Sequence, residues 1–249
     1  FLPLRKRGKG DNPMTRVLIW NEFAHEKTEE AVKKLYPNGI HSAVAEFLKS
    51  DDLEIKTATL DDPDCGLTRE VLDNTDVLIW WGHMKHNDVP DEIAMRVRDA
   101  VLEGMGMVFL HSAHHSKPFK FLLGTSCNLG WREDGDLERV WVCKPSHPIA
   151  QGLGRYFEIE HEETYAEPFD IPNPDELVLM GWYEGGELFR SGCCYNRGNG
   201  KIFYFQPGHE SYPTFYNKDV QTVIKNAVRY VTPSYRAKLE CPRVEKIKQ

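Results

Sequence analysis

Three of the chain's ten histidines lie in one short turn, the segment FLHSAHHS at positions 109–116. The apolar residues 107–110 lead into this turn, and an apolar run of this kind suits a strand that is covered on both faces. Polar side chains at the carboxyl end of such a strand lie where open α/β sheets bind their ligands. Because neutral imidazoles bind divalent metal ions and also exchange protons near neutral pH, the turn predicts a metal-binding or acid–base site.

Histidines also follow the other apolar segments that are predicted to be strands. The full set is His25, His83, His86, His111, His114, His115 and His209. Since the carboxyl ends of parallel strands meet at one edge of a sheet, we expect these imidazoles to form one cluster. We predict that His25, His83 and His114 bind a divalent metal ion, with zinc as the expected metal, and that His111 and His209 are catalytic.

Ser112 supports a different chemistry, because it occupies the strand-to-helix turn where α/β hydrolases expose a nucleophile. His209 would then be the base, with Glu210 or Glu163 orienting its ring. The residues around Ser112 read HSA and not G-x-S-x-G, so the glycines of that motif are missing. A catalytic Ser112 is therefore the alternative to metal or acid–base chemistry.

A second charged cluster, EHEETY at positions 160–165, lies within a predicted strand. The alternation of a strand places His161, Glu163 and Tyr165 on one face. If that face is turned to the histidines, Glu163 supplies a metal ligand or a catalytic acid. An exposed sheet face is the alternative interpretation. The two remaining histidines, His41 at a helix start and His147 before a proline, are interpreted as structural.

Aromatic residues accompany the polar ends of the strands. They are Trp20, Trp80, Trp81, Tyr212, Phe215 and Tyr216. Aromatic faces stack on the apolar C–H faces of sugars, which favours a carbohydrate ligand. We predict that Trp81, His86, Tyr165 and Glu210 bind the substrate. Neither G-x-G-x-x-G nor G-x-x-x-x-G-K-[ST] occurs, so nothing indicates a nucleotide cofactor.

The order of the predicted elements indicates an α/β fold with a doubly wound parallel sheet and an antiparallel β extension. The parallel strands are expected at 17–20, 53–59, 76–81 and 107–110. Helices are expected between and after them, at 26–35, 40–49, 68–73, from Pro90 to about residue 103, and at 117–123. Five further strands are expected at 139–143, 156–165, 177–182, 188–195 and 201–205. An amphipathic helix at 219–231 closes the pattern.

Composition narrows the function classes. A net charge of −7 argues against nucleic-acid binding, which needs a basic surface. No apolar run approaches the roughly 20 residues of a membrane helix. The six cysteines form no C-x-x-C pair, which favours free thiols in a reducing cytoplasm. We expect one domain at residues 14–249, a disordered extension at 1–13 outside the fold, and a sheet edge available for self-association into a homo-oligomer.

Five short motifs, in order, resemble the ThuA-like trehalose-utilisation family. They are WNExxHE at 20–26, WGH at 81–83, LHSxH at 110–114, ExY at 163–165 and PGHE at 207–210. The resemblance runs from about Met14 to Val231. That family is similar in fold to the class I glutamine amidotransferases, which have a flavodoxin-like sheet. Those enzymes carry a cysteine nucleophile on the elbow after a central strand, where this chain has His111 and Ser112, so the amidotransferase reaction is not implied.

The resemblance implies a carbohydrate-catabolic enzyme, a hydrolase, lyase or isomerase acting on trehalose, a related disaccharide or a keto-sugar. Proton abstraction next to a ketone needs a base and an electrophile at the carbonyl oxygen, which a histidine or glutamate and a divalent ion would supply. The missing cysteine motivates the alternative of a non-catalytic sugar-binding or regulatory protein on an amidotransferase-like scaffold.

Overall fold

The computed structural model describes residues 3–6, 14–238, 241 and 243–247. Its strands are β1 Pro3–Lys6, β2 Thr15–Asn21, β3 Leu53–Thr59, β4 Val77–Trp81, β5 Gly106–Leu110, β6 Gly130–Val142, β7 Tyr156–Ala166, β8 Glu176–Tyr183, β9 Leu188–Arg197, β10 Gly200–Phe205 and β11 Tyr235–Ala237. Its α-helices are α1 His25–Thr28, α2 Glu30–Leu35, α3 Ile40–Leu48, α4 Arg69–Asp73, α5 Asp91–Leu102, α6 Lys117–Leu123 and α7 Lys218–Val231.

One nine-stranded sheet, in the order β3-β2-β4-β5-β10-β9-β8-β6-β7, organises the molecule. The pairings from β3 to β10 are parallel, and those from β10 to β7 are antiparallel. Every residue of β4 and β5 is buried, as expected for parallel strands covered on both faces. The predicted α/β fold, a doubly wound parallel sheet with an antiparallel extension, is confirmed.

Helices cover both faces of the parallel half of the sheet. On one face, Leu72 of α4, Val97 of α5 and Phe119 of α6 belong to a single apolar core. On the other face, Val44 of α3 and Ile224 of α7 belong to a second core. Helices on both faces leave the ends of the strands as the open edges, so the loops at the carboxyl ends are free to carry a site.

Strand β6 begins nine residues before its predicted start at residue 139. Its first half is rich in charged residues, so no apolar alternation marks it as a strand. Ion pairs hold that half instead, because Arg132 contacts Asp134, Asp136 and Glu187. The antiparallel extension is therefore larger than predicted and reaches the carboxyl edge of the parallel strands.

The β6–β7 register is irregular at two places: β6 contains two extra residues between Arg132 and Asp136, and β7 contains one extra residue between Ile159 and Glu162. Between the pairs Asp136↔Glu162 and Glu138↔Ile159, three residue steps on β7 face two steps on β6. Such a bulge shifts the alternation of side chains along the strand. His161 lies at the bulge with 58% of its side chain exposed, whereas Glu162 and Glu163 are both buried. The prediction that His161 shares a face with Glu163 and Tyr165 was therefore wrong for His161.

The amino-terminal segment also differs from expectation. Residues 3–6 form β1, which pairs antiparallel with β11, so the prediction that they lie outside the fold was wrong; residues 1–2 and 7–13 lie outside the described residues. The pairing gives backbone N–H and C=O groups of β11 hydrogen-bond partners on β1, which stabilises both strands. Arg236 of β11 is buried and donates to the carbonyl oxygens of Leu72 and Thr75, at 2.8 and 2.7 Å.

Two further observations concern membrane-spanning helices and the state of the cysteines. Within the part of the chain that the structure describes, no helix combines the length and the apolar character that crossing a bilayer requires. All six cysteines are free, and Cys65, Cys127, Cys193 and Cys194 are buried.

Candidate active site

Loops at the carboxyl ends of four parallel strands bring six polar side chains together. The loops follow β2, β4, β5 and β10, and Glu163 joins them from β7. The six residues are His25, His83, His111, Glu163, His209 and Glu210. All except His83 are almost fully buried, and 25% of the His83 side chain is exposed. Four of the seven histidines expected at this edge belong to the cluster, whereas His86, His114 and His115 lie against one another beside it.

His111 occupies the elbow that follows β5, and its backbone has a φ of +54°. Non-glycine residues rarely adopt this left-handed conformation, and such strain concentrates at functional sites. The Nδ1–H group donates to the carbonyl oxygen of Gln206 at 3.0 Å, so Nε2 is the ring nitrogen that faces the cluster. Nε2 lies 3.0 Å from Oε2 of Glu163. Burial lowers the pKa of His111, but the adjacent Glu163 outweighs burial and raises that pKa to about 9.

Glu210 joins His25 and His83. Its Oε1 atom accepts from Nδ1 of His83 at 2.9 Å and from Nδ1 of His25 at 3.2 Å. Burial raises the pKa of Glu210, but the hydrogen bond from His83 and the surrounding imidazoles outweigh burial and lower that pKa to about 2. An ionised carboxylate can only accept, so both rings hold their proton on Nδ1 and present the Nε2 lone pair.

His209 has the opposite tautomer. Its Nδ1 atom accepts from the backbone N–H of Ser211 at 3.2 Å, so the neutral ring carries its proton on Nε2. Burial, followed by the charge of His111, lowers the pKa of His209 to about 4, which keeps the ring neutral near pH 7. Nε2 lies 3.6 Å from Oε1 of Glu133 and 4.0 Å from Oε2 of Glu163. His209 and the protonated His111 therefore present N–H groups to the cluster, whereas His25 and His83 present lone pairs.

Two groups of side chains bring possible ligand atoms for a metal ion close together, and His83 belongs to both. The first is His83, His111, Glu163 and His209, and the second is His25, His83 and Glu210. Within each group, one donor atom per residue lies within 4.8 Å of the others. Ligand atoms around tetrahedral zinc lie about 3.3 Å apart, so a shift of about 1 Å would close either group.

Unpartnered buried atoms support the same interpretation. Three of the polar atoms in the cluster have no hydrogen-bond partner among the described residues: His25 Nε2, His209 Nε2 and Glu210 Oε2. Buried polar atoms are rarely left without partners, and a concentration of them at one point is typical of a site that binds an ion or a substrate. The residues present therefore fit a divalent cation.

The structure does not bring His114 into either group. Its Nδ1 atom donates to the carbonyl oxygen of Cys127 at 2.7 Å, and its ring lies against His115 and Tyr165. The 3-10 helix His111–His115 turns this side chain away from His25 and His83, which were predicted to share a metal with it. Burial lowers the pKa of His114 well below its ordinary value, so the ring is neutral.

The remaining predicted site residues take varied positions. Ser112 hydrogen-bonds the hydroxyl of Tyr165 at 2.7 Å, and no described histidine is its partner. The indole of Trp81 donates to the carbonyl oxygen of Gly208 at 2.9 Å and is fully buried. His86 lies beside His115, and burial lowers its pKa to about 3. Ser112 thus lacks the base that a serine nucleophile needs, and Trp81 supports a loop.

Three buried glutamates that the sequence analysis did not single out hold the site loops in place. Glu22 accepts from the backbone N–H groups of residues 84 and 85, which fixes the loop of His83. Glu26 accepts from the side chain of Asn21 and from the N–H of Ile40. Glu162 accepts from the N–H groups of residues 208 and 209, at 3.0 and 3.1 Å, which fixes the loop of His209 and Glu210. Their positions inside the segments WNExxHE and EHEETY were the only sign in the sequence that these glutamates belong to the site.

The cluster opens into a cleft of ≈ 280 Å³, close to the lower end of the range of small-molecule sites. Its lining residues are His83, Ser112, His114, His115, Leu129, Trp131, Glu133, Glu163 and Tyr165. Trp131 and Glu133 were missed because they lie in the charged first half of β6. The arrangement offers imidazole lone pairs, N–H donors and two hydroxyl groups to a ligand.

A buried polar chain connects the antiparallel half to the cleft. Ser191 Oγ lies 3.4 Å from Oε1 of Glu138 and 3.5 Å from Oε1 of Gln206. Gln206 Nε2 donates to the backbone carbonyl of Glu163 at 3.3 Å, and the Gln206 carbonyl accepts from His111. Burial, followed by the charge of Glu162, raises the pKa of Glu138 well above its ordinary value.

The fold and the cleft define a class of protein, the α/β proteins with a doubly wound sheet and imidazoles at the elbow after a central strand. A family model described as ThuA, trehalose utilisation, matches residues 16–231. The chain therefore belongs to the ThuA family, as its motifs predicted. No curated protein matches the chain.

Solved structures show the same fold at low sequence identity. A protein from Bacteroides uniformis described as ThuA-like has a TM-score of 0.65 and 18% identity, covering 91% of this chain and 94% of that one. A cytoplasmic protein from Salmonella typhimurium has a TM-score of 0.58 and 14% identity, covering 88% and 100%. PurLQS from Thermotoga maritima has a TM-score of 0.53 and 14% identity, covering 87% and 99%. At these identities the likeness concerns the fold alone.

Proposed function

We propose that this protein is a cytoplasmic, metal-assisted enzyme that acts on trehalose, a related disaccharide or a keto-sugar derived from one. The observation that carries the proposal is the convergence of unpartnered imidazole and carboxylate atoms at the carboxyl edge of the sheet. Membership of the trehalose-utilisation family supports a sugar substrate. The free thiols and the cytoplasmic Salmonella neighbour support the location.

The tautomers assign roles within the cluster. His83 directs a lone pair into it, Glu163 adds a carboxylate, and His111 would offer its Nε2 lone pair once a metal ion displaces the proton, so these three residues are proposed as the metal ligands. Glu210 holds the Nδ1–H group of His83 and so orients that ring, as carboxylates commonly do behind a histidine ligand. A bound divalent ion, with zinc as the expected metal, would polarise a carbonyl oxygen or activate a water molecule.

His209 is proposed as the proton-transfer residue. Its Nε2–H group points at the same space, and donating that proton to a substrate oxygen would stabilise the charge that develops there. Ser112 and Tyr165 present a hydroxyl pair that can orient a sugar hydroxyl. No step requires a serine nucleophile, since Ser112 contacts Tyr165 and not His209.

Metal analysis of protein purified without chelators tests the proposal. We expect about one divalent ion per chain in the wild type, as for a single catalytic site. The variant His83→Ala should lose most of the metal. His147→Gln, at a buried histidine whose Nδ1 accepts from the N–H of Ile149, is the matched control and should keep it.

Two further variants separate the roles. His209→Ala should abolish turnover of trehalose, sucrose or their 3-keto forms while metal content and folding are retained, and His114→Ala should also retain the metal. A wild type without stoichiometric metal, whose turnover survives chelation, would rule out the metal-assisted reaction. Sugar binding without turnover of any of these compounds would instead favour a non-catalytic sugar-binding protein.

A further inference from the structure

Trp131 is the most exposed of the six tryptophans, with 66% of its surface accessible, whereas Trp20, Trp80 and Trp81 are each about 1% accessible. It lies at the start of β6 and lines the mouth of the cleft beside Leu129. Large exposed aromatic groups at the rim of a polar cleft commonly contact a ligand. The exposed position of the Trp131 indole at the cleft is therefore typical of a residue that contacts a ligand.

Strand pairing directs the indole toward the histidine cluster. Trp131 lies directly opposite Tyr165 in the β6–β7 register, and opposite residues of an antiparallel pair share a face of the sheet. The Tyr165 ring stacks on that of His111, with centroids 5.2 Å apart. The indole, the phenol and the His111 imidazole thus follow one another from the rim of the cleft to its floor.

The strand that carries Trp131 is firmly held. The next residue, Arg132, contacts Asp134, Asp136 and Glu187. His161 donates to the carbonyl oxygen of Gly135 at 2.9 Å, which fastens the irregular part of β6 to β7. The backbone of Trp131 is therefore held in place, which reduces the conformational entropy lost when a ligand stacks on the indole.

Glu133 adds a polar group between the indole and the cluster. About half of its side chain is exposed, and its Oε1 atom lies 3.6 Å from Nε2 of His209. A pyranose ring has one apolar C–H face and a rim of hydroxyl groups. An aromatic surface next to a carboxylate complements that combination, because the ring stacks while the carboxylate accepts from the hydroxyls.

We propose that Trp131 and Glu133 form a pyranose-binding subsite at the mouth of the cleft, with the sugar ring stacked on the indole and its hydroxyls donating to the carboxylate. This inference rests on the proposed sugar function. It adds the residues that would bind the sugar ring that does not react. In a disaccharide, that second ring would lie farther from the metal ligands than the reacting ring.

Calorimetry and tryptophan fluorescence test the subsite with trehalose and methyl α-glucoside as probes. We expect Trp131→Ala to weaken binding of both at least about tenfold, and Trp131→Phe to weaken it less. Glu133→Gln should weaken binding several-fold. Fluorescence should change with either probe in the wild type and not in Trp131→Phe. Sorbitol, which offers hydroxyls without a ring, should bind no better to the wild type than to Trp131→Ala.

The matched control is Trp141→Phe, at a half-buried indole near the far end of β6 that packs on Tyr156. It should bind both probes as the wild type does. Metal content and turnover are measured on the same samples. Probe binding that depends on Trp131 in a protein without metal or turnover would support the subsite and refute the proposed chemistry. Equal binding by wild type and Trp131→Ala, or no binding of either probe by the wild type at millimolar concentration, would overturn the subsite.

Discussion

The hydroxyl of Ser191 has one proton but two oxygen neighbours, Glu138 and Gln206. A protonated Glu138 resolves the conflict, because it can donate to Ser191, which then donates to Gln206. The direction of the chain thus agrees with the raised pKa of Glu138. Burial of a neutral carboxyl group costs far less than burial of a carboxylate.

Glu138→Gln is expected to stabilise the protein at neutral pH. At acidic pH, Glu138 is protonated in both the folded and the unfolded state. Above the ordinary pKa of a glutamate, only the unfolded state releases the proton, so the wild type loses stability as the pH rises toward the folded-state pKa. Glutamine mimics the protonated form and avoids this loss. Thermal unfolding from pH 4 to pH 8 should show a Tm difference that grows with pH, with about 2–4 °C for each kcal/mol.

Glu160→Gln is the control, because that side chain is 90% exposed. Its Tm should follow the wild type at every pH. A Glu138→Gln protein less stable than the wild type at pH 8 would show that Glu138 is ionised in the folded state.

At the level of elements, the loop after β10 depends on Gly208. Its φ is +142°, a region closed to other residues, and a Cβ atom there would lie 2.8 Å from Cζ of Phe215 and 3.4 Å from Cβ of His111. The glycine therefore lets the loop pass close to the elbow, which places His209 and Glu210 beside His111.

Gly208→Ala is expected to lower both stability and turnover, because alanine is strained at this φ and its Cβ would lie 2.8 Å from the Phe215 ring, so the loop that carries His209 and Glu210 must shift. Gly124→Ala is the matched control. Gly124 also has a positive φ, +75°, but a Cβ there would meet nothing within 4 Å. The control should lose only about 1 kcal/mol of unfolding free energy and keep its turnover. Chemical denaturation and steady-state kinetics on both variants measure the difference, and equal losses would contradict the close-approach explanation.

Apolar periodicity was enough to predict the parallel strands and most helices. The predicted strand 53–59 and helix 117–123 have the bounds of β3 and α6. It also predicted that polar strand ends would meet at one edge, which placed His25, His83, His111 and His209 together. These predictions succeed because burial of each element fixes its pattern locally.

Other features depend on contacts between distant segments and could not be predicted. The first half of β6 is held by ion pairs of Arg132, not by an apolar pattern. The direction of His114 depends on the 3-10 turn and on the carbonyl of Cys127. The roles of Glu22 and Glu162 arise from backbone N–H groups about 46 to 63 positions away, and no local signal marks such partners.

At the scale of the whole molecule, the pairing of β5 with β10 is the junction that joins the parallel half of the sheet to the antiparallel half. Four consecutive residue pairs join them, from Ile202↔Met107 to Phe205↔Leu110, and all eight residues are fully buried. The parallel and antiparallel halves therefore share one sheet and both of the apolar cores that cover it. A single domain at residues 14–249 remains a prediction that unfolding experiments can test.

We expect one cooperative unfolding transition, since neither half can keep its core after the junction opens. Calorimetric and van't Hoff enthalpies should agree, and far-ultraviolet and near-ultraviolet dichroism should change together. Two separated transitions would show that the antiparallel extension is a domain of its own.

Because β7 contains an extra residue at the bulge, the positions of the two site carboxylates depend on the number of residues in this strand. Glu162 and Glu163 are neighbours, yet one holds the loop of His209 and the other faces His111. Because side chains alternate along a strand, deleting the exposed His161 would turn one side of the bulge over relative to the other. The two carboxylates would then exchange tasks or leave the site. Deletion of His161 should therefore lower turnover as much as substitution of a metal ligand does. Substitution of His161 by another residue should have little effect on turnover.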